Sequence, residues 1–290
     1  MKRALVLTAV VFGTVFGYSS VFAEDEAKSE AVKQDKELTV DQIVERTNRV
    51  SYYQGRDGKA RVKMVITDEQ DRKRERQLVI LRWDAPNPKL SEEEQGKDDS
   101  YTGEQKYYVF FTRPADVYKT VFMVWKHLGK DDDRWMYLPA LDLVKRISAS
   151  DKRSSFVGSH FVYEDVSGRN VDLDEHELLR TTDNYYVLRN TPKDKKLVEF
   201  AYYDMWIHKD SFVVVKTDYF DEQDKKYRSY QALKVEQIEG FPTVVKSKMS
   251  DLRTGGNTVM EYGEVKYNVG IPESIFTERY LRRPPREYIR

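Results

Sequence analysis

Apolar and polar residues alternate along most of the chain, in short runs separated by polar, turn-like clusters. In "KARVKMVITD" (residues 59–68), the apolar positions on one predicted strand face are Ala60, Val62, Met64 and Ile66. Alternation with a period of two is typical of a half-buried β-strand. About ten more runs follow, separated by clusters such as "DEQDRK", "GKDDD" and "RTGGN". The pattern predicts about eleven strands in one antiparallel sheet, joined mainly as a meander.

Helical periodicity occurs before the first strand and near the end of the chain. In "LTVDQIVERTNRVSYY" (residues 38–53), Thr39 and Gln42 fit a capping box. The apolar stripe that follows predicts a helix with one packed face: Val40, Ile43, Val44, Thr47 and Val50. Near the end, Pro272 is well placed for the first turn of a short closing helix, and "PPREYIR" is interpreted as a tail.

Several predicted strands carry apolar residues on both faces. In "VFMVW" (residues 121–125), both sets of alternating positions are apolar, and residues 197–207 behave in the same way. An antiparallel sheet with one solvated face would alternate cleanly. The pattern is compatible with a strongly curved sheet around a helix or a lid, although strand ends, edge contacts or dimerisation would also produce it.

The N-terminal residues have the features of an export signal. Lys2 and Arg3 precede an apolar stretch, and Val21 and Ala23 provide small residues at the −3 and −1 positions of a cleavage site near Ala23–Glu24. We therefore expect a signal peptide over residues 1–23 and a periplasmic protein. Residues 24–37 are charged and poor in apolar side chains, which predicts a flexible leader.

Composition excludes several kinds of site in the rest of the chain. Without cysteine there is no lipid-modified cysteine, disulfide or thiolate metal site. The balance of 49 basic and 49 acidic residues gives no basic field for nucleic acid. No linker divides residues 38–290, so we expect one domain. Residues 91–106 are an acidic excursion, interpreted as an insertion without its own core.

Side chains that could carry out chemistry are scarce. The four histidines lack metal-ligand spacing; one of them, His176, lies in the acidic run "DLDEHELL", which is better explained as a solvated turn or helix. No G-x-S-x-G elbow is present, and a thiol nucleophile is excluded. We therefore predict no catalytic residue, no metal and no cofactor.

The remaining candidate is apolar. A concave apolar sheet face can bind an acyl chain, since each buried methylene gains about 0.8 kcal/mol. The alternative is that the same side chains fill the protein's own core.

Three blocks of sequence resemble a known family. They are "RWMYLPAL" (residues 134–141), "FVGSHFVYED" (residues 156–165) and the long block from Lys234 to Leu281. Together they resemble the outer-membrane lipoprotein-sorting-protein-like family of the LolA-like superfamily. The resemblance covers most of residues 132–281, whereas the N-terminal third is similar mainly in pattern.

The resemblance implies a fold and a class of function. The fold would be mainly β with helices (α+β): a single curved antiparallel sheet forming an unclosed half-barrel, capped by a helical and loop lid. The implied role is a periplasmic carrier or chaperone for a lipid or lipoprotein acyl chain, without enzyme activity. Members of this group look like companions of inner-membrane RND-type transporters, and a carrier would contact a membrane surface transiently.

Candidate site residues follow from the apolar runs and the resemblance. The lid is expected over residues 148–179. The proposed cavity and lid residues are Phe110, Phe122, Trp125, Trp135, Tyr137, Leu138, Phe156, Val157, Phe161, Tyr163, Phe200, Tyr202 and Trp206. Four cations are placed by the rim, beside a lipid head group or an acidic partner: Lys145, Arg146, Lys152 and Arg153. A solvated edge would explain these cations equally well.

Two other classes of function remain open from the sequence. One is a periplasmic sensing or interaction module with the same fold and a filled core. The other is a hydrolase whose site geometry is not recognisable from motifs. An empty elongated cavity would favour the carrier, and a packed interior would favour the module. Clustered, buried carboxylates or a His–Asp pair in the cavity would favour the hydrolase.

Overall fold

The computed structural model describes residues 37–91, 93–94 and 102–290. The predicted signal peptide (1–23), the leader except Glu37 and half of the acidic excursion (91–106) lie outside these residues. Residues Leu38–Arg290 form one compact unit. Among the described residues, no helix has both the length and the apolar character needed to span a bilayer.

Helix α1 (Val40–Tyr52) confirms the N-terminal helix prediction. The Thr39 side chain accepts a hydrogen bond from the Gln42 amide at 3.3 Å, and Gln42 Oε1 accepts one from the Thr39 amide at 3.0 Å. This reciprocal capping satisfies two amides that would otherwise lack partners. Ile43 and Val44 are buried, so the apolar stripe packs against the sheet.

In the described part of the chain, thirteen strands form a single antiparallel sheet. Their bounds are β1 Asp57–Thr67, β2 Lys73–Asp84, β3 Gln105–Arg113, β4 Val121–Lys126, β5 Asp133–Leu138, β6 Leu143–Arg146, β7 Asp174–Thr181, β8 Tyr185–Pro192, β9 Tyr202–His208, β10 Val214–Phe220, β11 Lys226–Ile238, β12 Phe241–Asp251 and β13 Asn257–Tyr267. The order is β6-β5-β4-β3-β2-β1-β13-β12-β11-β10-β9-β8-β7, so β6 and β7 are the edges.

The predicted fold class is confirmed: the protein is mainly β, with one curved antiparallel sheet that does not close. The predicted number of about eleven strands is two fewer than observed, because the alternation pattern did not identify the two edge strands, β6 and β7. Strand β6 has only four residues, and β7 ("DEHELLRT") is mostly charged and exposed. Proteins protect sheet edges from pairing with other chains by making edge strands short or charged. Both features also make the apolar alternation too weak to predict a strand.

Short helices occupy the connections and the C-terminal segment. The connection between β6 and β7 (residues 147–173) contains α2 (Tyr163–Ser167) and a 3-10 turn (Val171–Leu173). The C-terminal segment contains a 3-10 turn (Glu273–Ile275), α3 (Glu278–Arg282) and α4 (Arg286–Ile289). The single closing helix predicted from Pro272 is therefore three short elements.

The two faces of strands β2–β5 are both buried, against different partners. On the concave face, Phe122 and Val124 pack with residues of the β6–β7 connection. On the convex face, Val121 and Met123 pack with the C-terminal segment. Both faces are apolar because each is buried by a different segment of the chain. We call the β6–β7 connection the concave cover and the C-terminal segment the convex cover.

Candidate binding cavity

A cavity of about 390 Å³ lies between α1, the β6–β7 connection and the concave face of the sheet. Its walls come from α1, the connection and most of the strands from β1 to β13. Pockets that bind small molecules have volumes of about 300–1,000 Å³. The cavity is therefore large enough for a small amphiphile or part of an acyl chain.

One part of the cavity wall is apolar. It is formed by side chains from β2, β3, β12, β13 and the connection: Leu78, Ile80, Val109, Phe156, Phe161, Met249 and Met260. Phe156 and Phe161 are almost fully buried and project from the connection into the concave core. Methionine side chains adapt to irregular apolar shapes, which suits a wall that holds a flexible chain.

Tyrosines contribute a second, amphipathic part of the wall: Tyr52, Tyr107, Tyr203, Tyr219, Tyr230, Tyr262 and Tyr267. Burial raises the pKa of Tyr219 and of Tyr262 to about 12, so both phenols are neutral near pH 7. A neutral phenol presents a broad apolar ring and a hydroxyl that both donates and accepts hydrogen bonds.

Buried ion pairs fix the α2 end of the connection. The Glu164 carboxylate is 2% exposed and is surrounded by Lys152, Arg153 and Arg169 at 3.1–3.4 Å. Burial alone would raise the pKa of Glu164, but the three cations outweigh it and hold the pKa below its usual value. Removing one member of such a network typically costs about 3–5 kcal/mol, because a buried charge is left uncompensated.

Further ion pairs join the connection to other elements. Arg228, on β11, pairs with Asp165 of α2 and donates to the His160 carbonyl at 3.2 Å. Arg153 Nε donates to Glu199 at 3.0 Å. The connection is therefore held at several points by charges rather than by a continuous backbone ladder.

The end of α1 meets the end of the connection at a polar junction. The Arg82 guanidinium donates to the carbonyls of Tyr52 at 2.8 Å and Gly55 at 2.9 Å, and Lys126 Nζ donates to the Ser167 carbonyl at 3.0 Å. At Gly168, φ is +80° and a Cβ would lie 2.5 Å from the Tyr52 ring. The residue after α2 must be glycine for the connection to pack against α1.

The structure brings part of the predicted site together. Six predicted cavity or lid residues lie in the concave core: Phe122, Leu138, Phe156, Val157, Phe161 and Tyr163. Of these, Phe156 and Phe161 line the cavity. The others pack around them, as in the tilted contact of Phe122 with Tyr163, whose ring centroids are 5.2 Å apart.

Four predicted cavity residues lie on the opposite face. Phe110, Trp125, Trp135 and Tyr137 pack on the convex side with the C-terminal segment. Trp125 Nε1 donates to the Phe276 carbonyl at 2.8 Å, which fixes this cover in place. The strands carry apolar residues on both faces, so alternation could not indicate which face bounds the cavity.

Three more predicted residues do not line the cavity. Phe200 packs in a separate cluster, with its ring centroid 5.4 Å from that of Tyr203. Tyr202 stacks on Phe220 with centroids 4.8 Å apart. The Trp206 ring lies under Lys216 Nζ at 4.1 Å.

The four predicted rim cations divide into two pairs. Lys145 and Arg146 are exposed on the edge strand β6, where Arg146 pairs with Asp133. Lys152 and Arg153 are buried with Glu164. The second pair stabilises the connection from inside, because each charge has a buried carboxylate partner. The predicted lid (148–179) is also shorter in the structure, since residues 174–179 belong to β7.

Sequence reasoning missed most of the cavity wall. The tyrosine side chains and the polar face of α1, including Thr47 and Asn48, were not among the candidates. One signal was available: the buried stripe of α1 contains Thr47, a polar residue at a core position. Elsewhere among residues 37–91, 93–94 and 102–290, no three histidine, aspartate or glutamate side chains meet as a metal site.

Comparison with known proteins identifies a family that matches the sequence and solved structures that share the fold. A model of a family described as "Uncharacterized protein" matches residues 103–283. A DUF1329 family protein from Desulfovibrio piger has 28% sequence identity and a TM-score of 0.70, over 82% of this chain and 96% of that one. No curated protein sequence matches the chain.

Two further crystal structures share the fold. A putative outer membrane lipoprotein-sorting protein domain from Vibrio parahaemolyticus is 23% identical, with a TM-score of 0.71 over 83% of this chain and 97% of that one. A LolA superfamily protein from Nitrosomonas europaea is 19% identical, with a TM-score of 0.62 over 84% of this chain and all of the other. The chain belongs to the family whose model matches residues 103–283. Its fold is LolA-like, with the unclosed sheet that the sequence resemblance implied.

Proposed function

We propose that the protein is a periplasmic carrier or chaperone that binds a lipid or the acyl chain of a lipoprotein. The observation that carries the proposal is the cavity of about 390 Å³ under the β6–β7 connection. Each methylene moved from water into its apolar part contributes about 0.8 kcal/mol, so binding needs no reactive group. The names of the Vibrio parahaemolyticus and Nitrosomonas europaea proteins support the same class of role.

The β6–β7 connection would act as the lid. Phe156 and Phe161 would contact the acyl chain, and the ion pairs of Asp165 and Arg153 would hold the lid closed. Opening of the lid would separate these charged side chains, which water could then solvate. The backbone hydrogen bonds between the strands of the sheet would stay intact. Release would take place at a membrane surface, with an inner-membrane RND-type transporter as the proposed partner. The proposal assigns no reaction to the protein.

A cavity-filling variant tests binding. Ala60 lies on β1 in the cavity wall, and Ala60→Trp would place an indole where the ligand is proposed to bind. We expect this variant to fold and to lose binding of a fluorescent fatty-acid probe. Ala140→Trp, at an exposed turn, is the matched control and should bind as the wild type does. Mass spectrometry of lipids extracted from both purified proteins gives an independent readout.

The alternatives give different results. Probe binding by Ala60→Trp at wild-type affinity would contradict the cavity as the binding site. Wild-type protein that carries no lipid and binds no probe would favour the sensing or interaction module.

A further inference from the structure

The cavity wall formed by α1 is chemically different from the wall formed by the sheet. Cavity-lining residues of α1 and the turn after it include Thr47, Asn48, Ser51 and Gln54. Thr47 and Ser51 are four residues apart and lie on the same face of the helix. The helix wall therefore carries these four polar side chains beside Val44 and Val50, whereas Leu78, Ile80 and Val109 make part of the sheet wall apolar.

Strand register shows that polarity also changes along the cavity. Near the β12–β13 hairpin, Met249 pairs with Thr258, and the Met260 side chain adds to the apolar wall. At the other ends of the same strands, Thr243 Oγ1 and Tyr267 Oη share a hydrogen bond of 2.8 Å. That second end adjoins the end of α1, because Gln54 Nε2 donates to the Pro242 carbonyl at 3.0 Å.

Two polar atoms of the helix wall are buried and have no hydrogen-bond partner among the residues that the structure describes. They are Thr47 Oγ1 and Gln54 Oε1. Thr47 is only 4% exposed. The bond from Gln54 Nε2 to Pro242 fixes the amide orientation, so Oε1 is the atom left free. Buried polar atoms normally have a hydrogen-bond partner, so these two atoms point to a ligand that provides one.

We infer that the cavity binds an amphiphile whose head group carries hydroxyls. Its hydroxyls donate to Gln54 Oε1 and Thr47 Oγ1, and its hydrocarbon tail lies toward Phe156, Phe161, Met249 and Met260. This inference rests on the proposed function and specifies the class of ligand.

Acceptor chemistry distinguishes this head group from a bare carboxylate. Gln54 Oε1 can only accept a hydrogen bond, and an ionised carboxylate can only accept one too. A glycerol or similar polyol head supplies the donor that Gln54 Oε1 requires, and its hydroxyls can either donate to the Thr47 hydroxyl or accept from it.

A pair of probes with the same tail tests the inference. Displacement of a bound fluorescent fatty-acid probe would be measured with 1-monolauroylglycerol and with methyl laurate, which lacks a donor. We expect the monoglyceride to bind about tenfold more tightly, which corresponds to about 1.4 kcal/mol. Thr47→Val combined with Gln54→Met should remove this preference, so that the affinities for the two probes become equal.

The matched control replaces the same residue types outside the cavity. Thr254→Val with Gln231→Met changes two exposed positions and should keep the preference. If the double cavity variant does not fold, Thr47→Val alone should reduce the preference, since it removes one unpaired hydroxyl at almost constant volume. Equal wild-type affinity for the two probes would overturn the inference but leave the carrier proposal intact. Binding of neither probe would overturn both.

Discussion

The two faces of strands β2–β5 bury similar side chains in different ways. On the convex face, Ile275, Phe276 and Leu281 of the C-terminal segment are almost fully buried against the sheet. On the concave face, the β6–β7 connection leaves a cavity of about 390 Å³. The convex cover contacts the sheet through apolar side chains, whereas the concave cover combines Phe156 and Phe161 with buried ion pairs.

This difference suggests that the convex face contributes mainly to stability and the concave face mainly to binding. Protein interiors are normally packed as densely as organic crystals, and Phe276 and Leu281 of the convex core have no exposed surface. The concave core instead leaves a cavity and adds unpaired polar atoms and buried charges. Substitutions on the convex face should therefore change the free energy of unfolding, and substitutions on the concave face should change binding and pH dependence.

The largest expected effect is on the convex face. Phe276 is fully buried, and Phe276→Ala should lower the free energy of unfolding by about 3–5 kcal/mol, because it leaves a hole in dense packing. Urea unfolding measures the change, and probe affinity of the folded fraction should not move. Leu141→Ala is the control: Leu141 is 71% exposed, and its change should stay within about 0.5 kcal/mol. A comparable loss for both variants would contradict the assignment of the C-terminal segment as a structural cover.

The second prediction concerns a buried acid at the junction of β2 and α1. Burial raises the pKa of Asp84 to about 7, despite Arg82 and the hydrogen bond from Gln105, and Asp57 adds to the rise. From about pH 4, the usual range for an aspartate, to about pH 7, the folded protein binds more protons than the unfolded chain. The contribution of Asp84 to stability therefore falls as pH rises through this window and is constant above it.

Asp84→Asn should remove that dependence, since an amide stays neutral and can still accept from Gln105. Urea unfolding at pH 4.5, 6 and 8 compares the two proteins. The variant should gain stability relative to the wild type as pH rises, by a few kcal/mol at about 1.4 kcal/mol per unit of pKa shift. A constant difference at all three values would mean that Asp84 is ionised throughout.

The smallest effect tests whether the concave cover moves. The chain has no cysteine, so an engineered pair introduces the only thiols. His160 of the connection and Thr258 of β13 are in contact, with the His160 amide donating to Thr258 Oγ1 at 3.0 Å. The oxidised pair His160→Cys with Thr258→Cys should slow exchange of a bound fluorescent probe about tenfold, equivalent to about 1.4 kcal/mol in the barrier. Reductant should restore the rate, and each single variant should exchange normally. Unchanged exchange in the oxidised protein would show that the ligand enters by another route.

Sequence reasoning predicted the architecture better than the site. Alternation in β1 and the capping box of Thr39 and Gln42 are local features, and both appear in the structure. Cavity residues depend on which face of a strand lies under which cover. Trp135 and Phe122 come from equally apolar runs, yet one faces the C-terminal segment and the other the β6–β7 connection. That choice is made by parts of the chain distant in sequence, so no local pattern contains it.

The position of the convex cover in the chain has a consequence for how the protein matures. Strands β2–β5 emerge well before residues 271–289, which later shield their outer aromatic rings. Before residues 271–289 pack against the sheet, an apolar surface is exposed on its convex face. This surface is formed by the rings of Tyr108, Trp125 and Trp135. Synthesis from the N-terminus leaves this surface unshielded until residues 271–289 have been made, which favours aggregation during that interval.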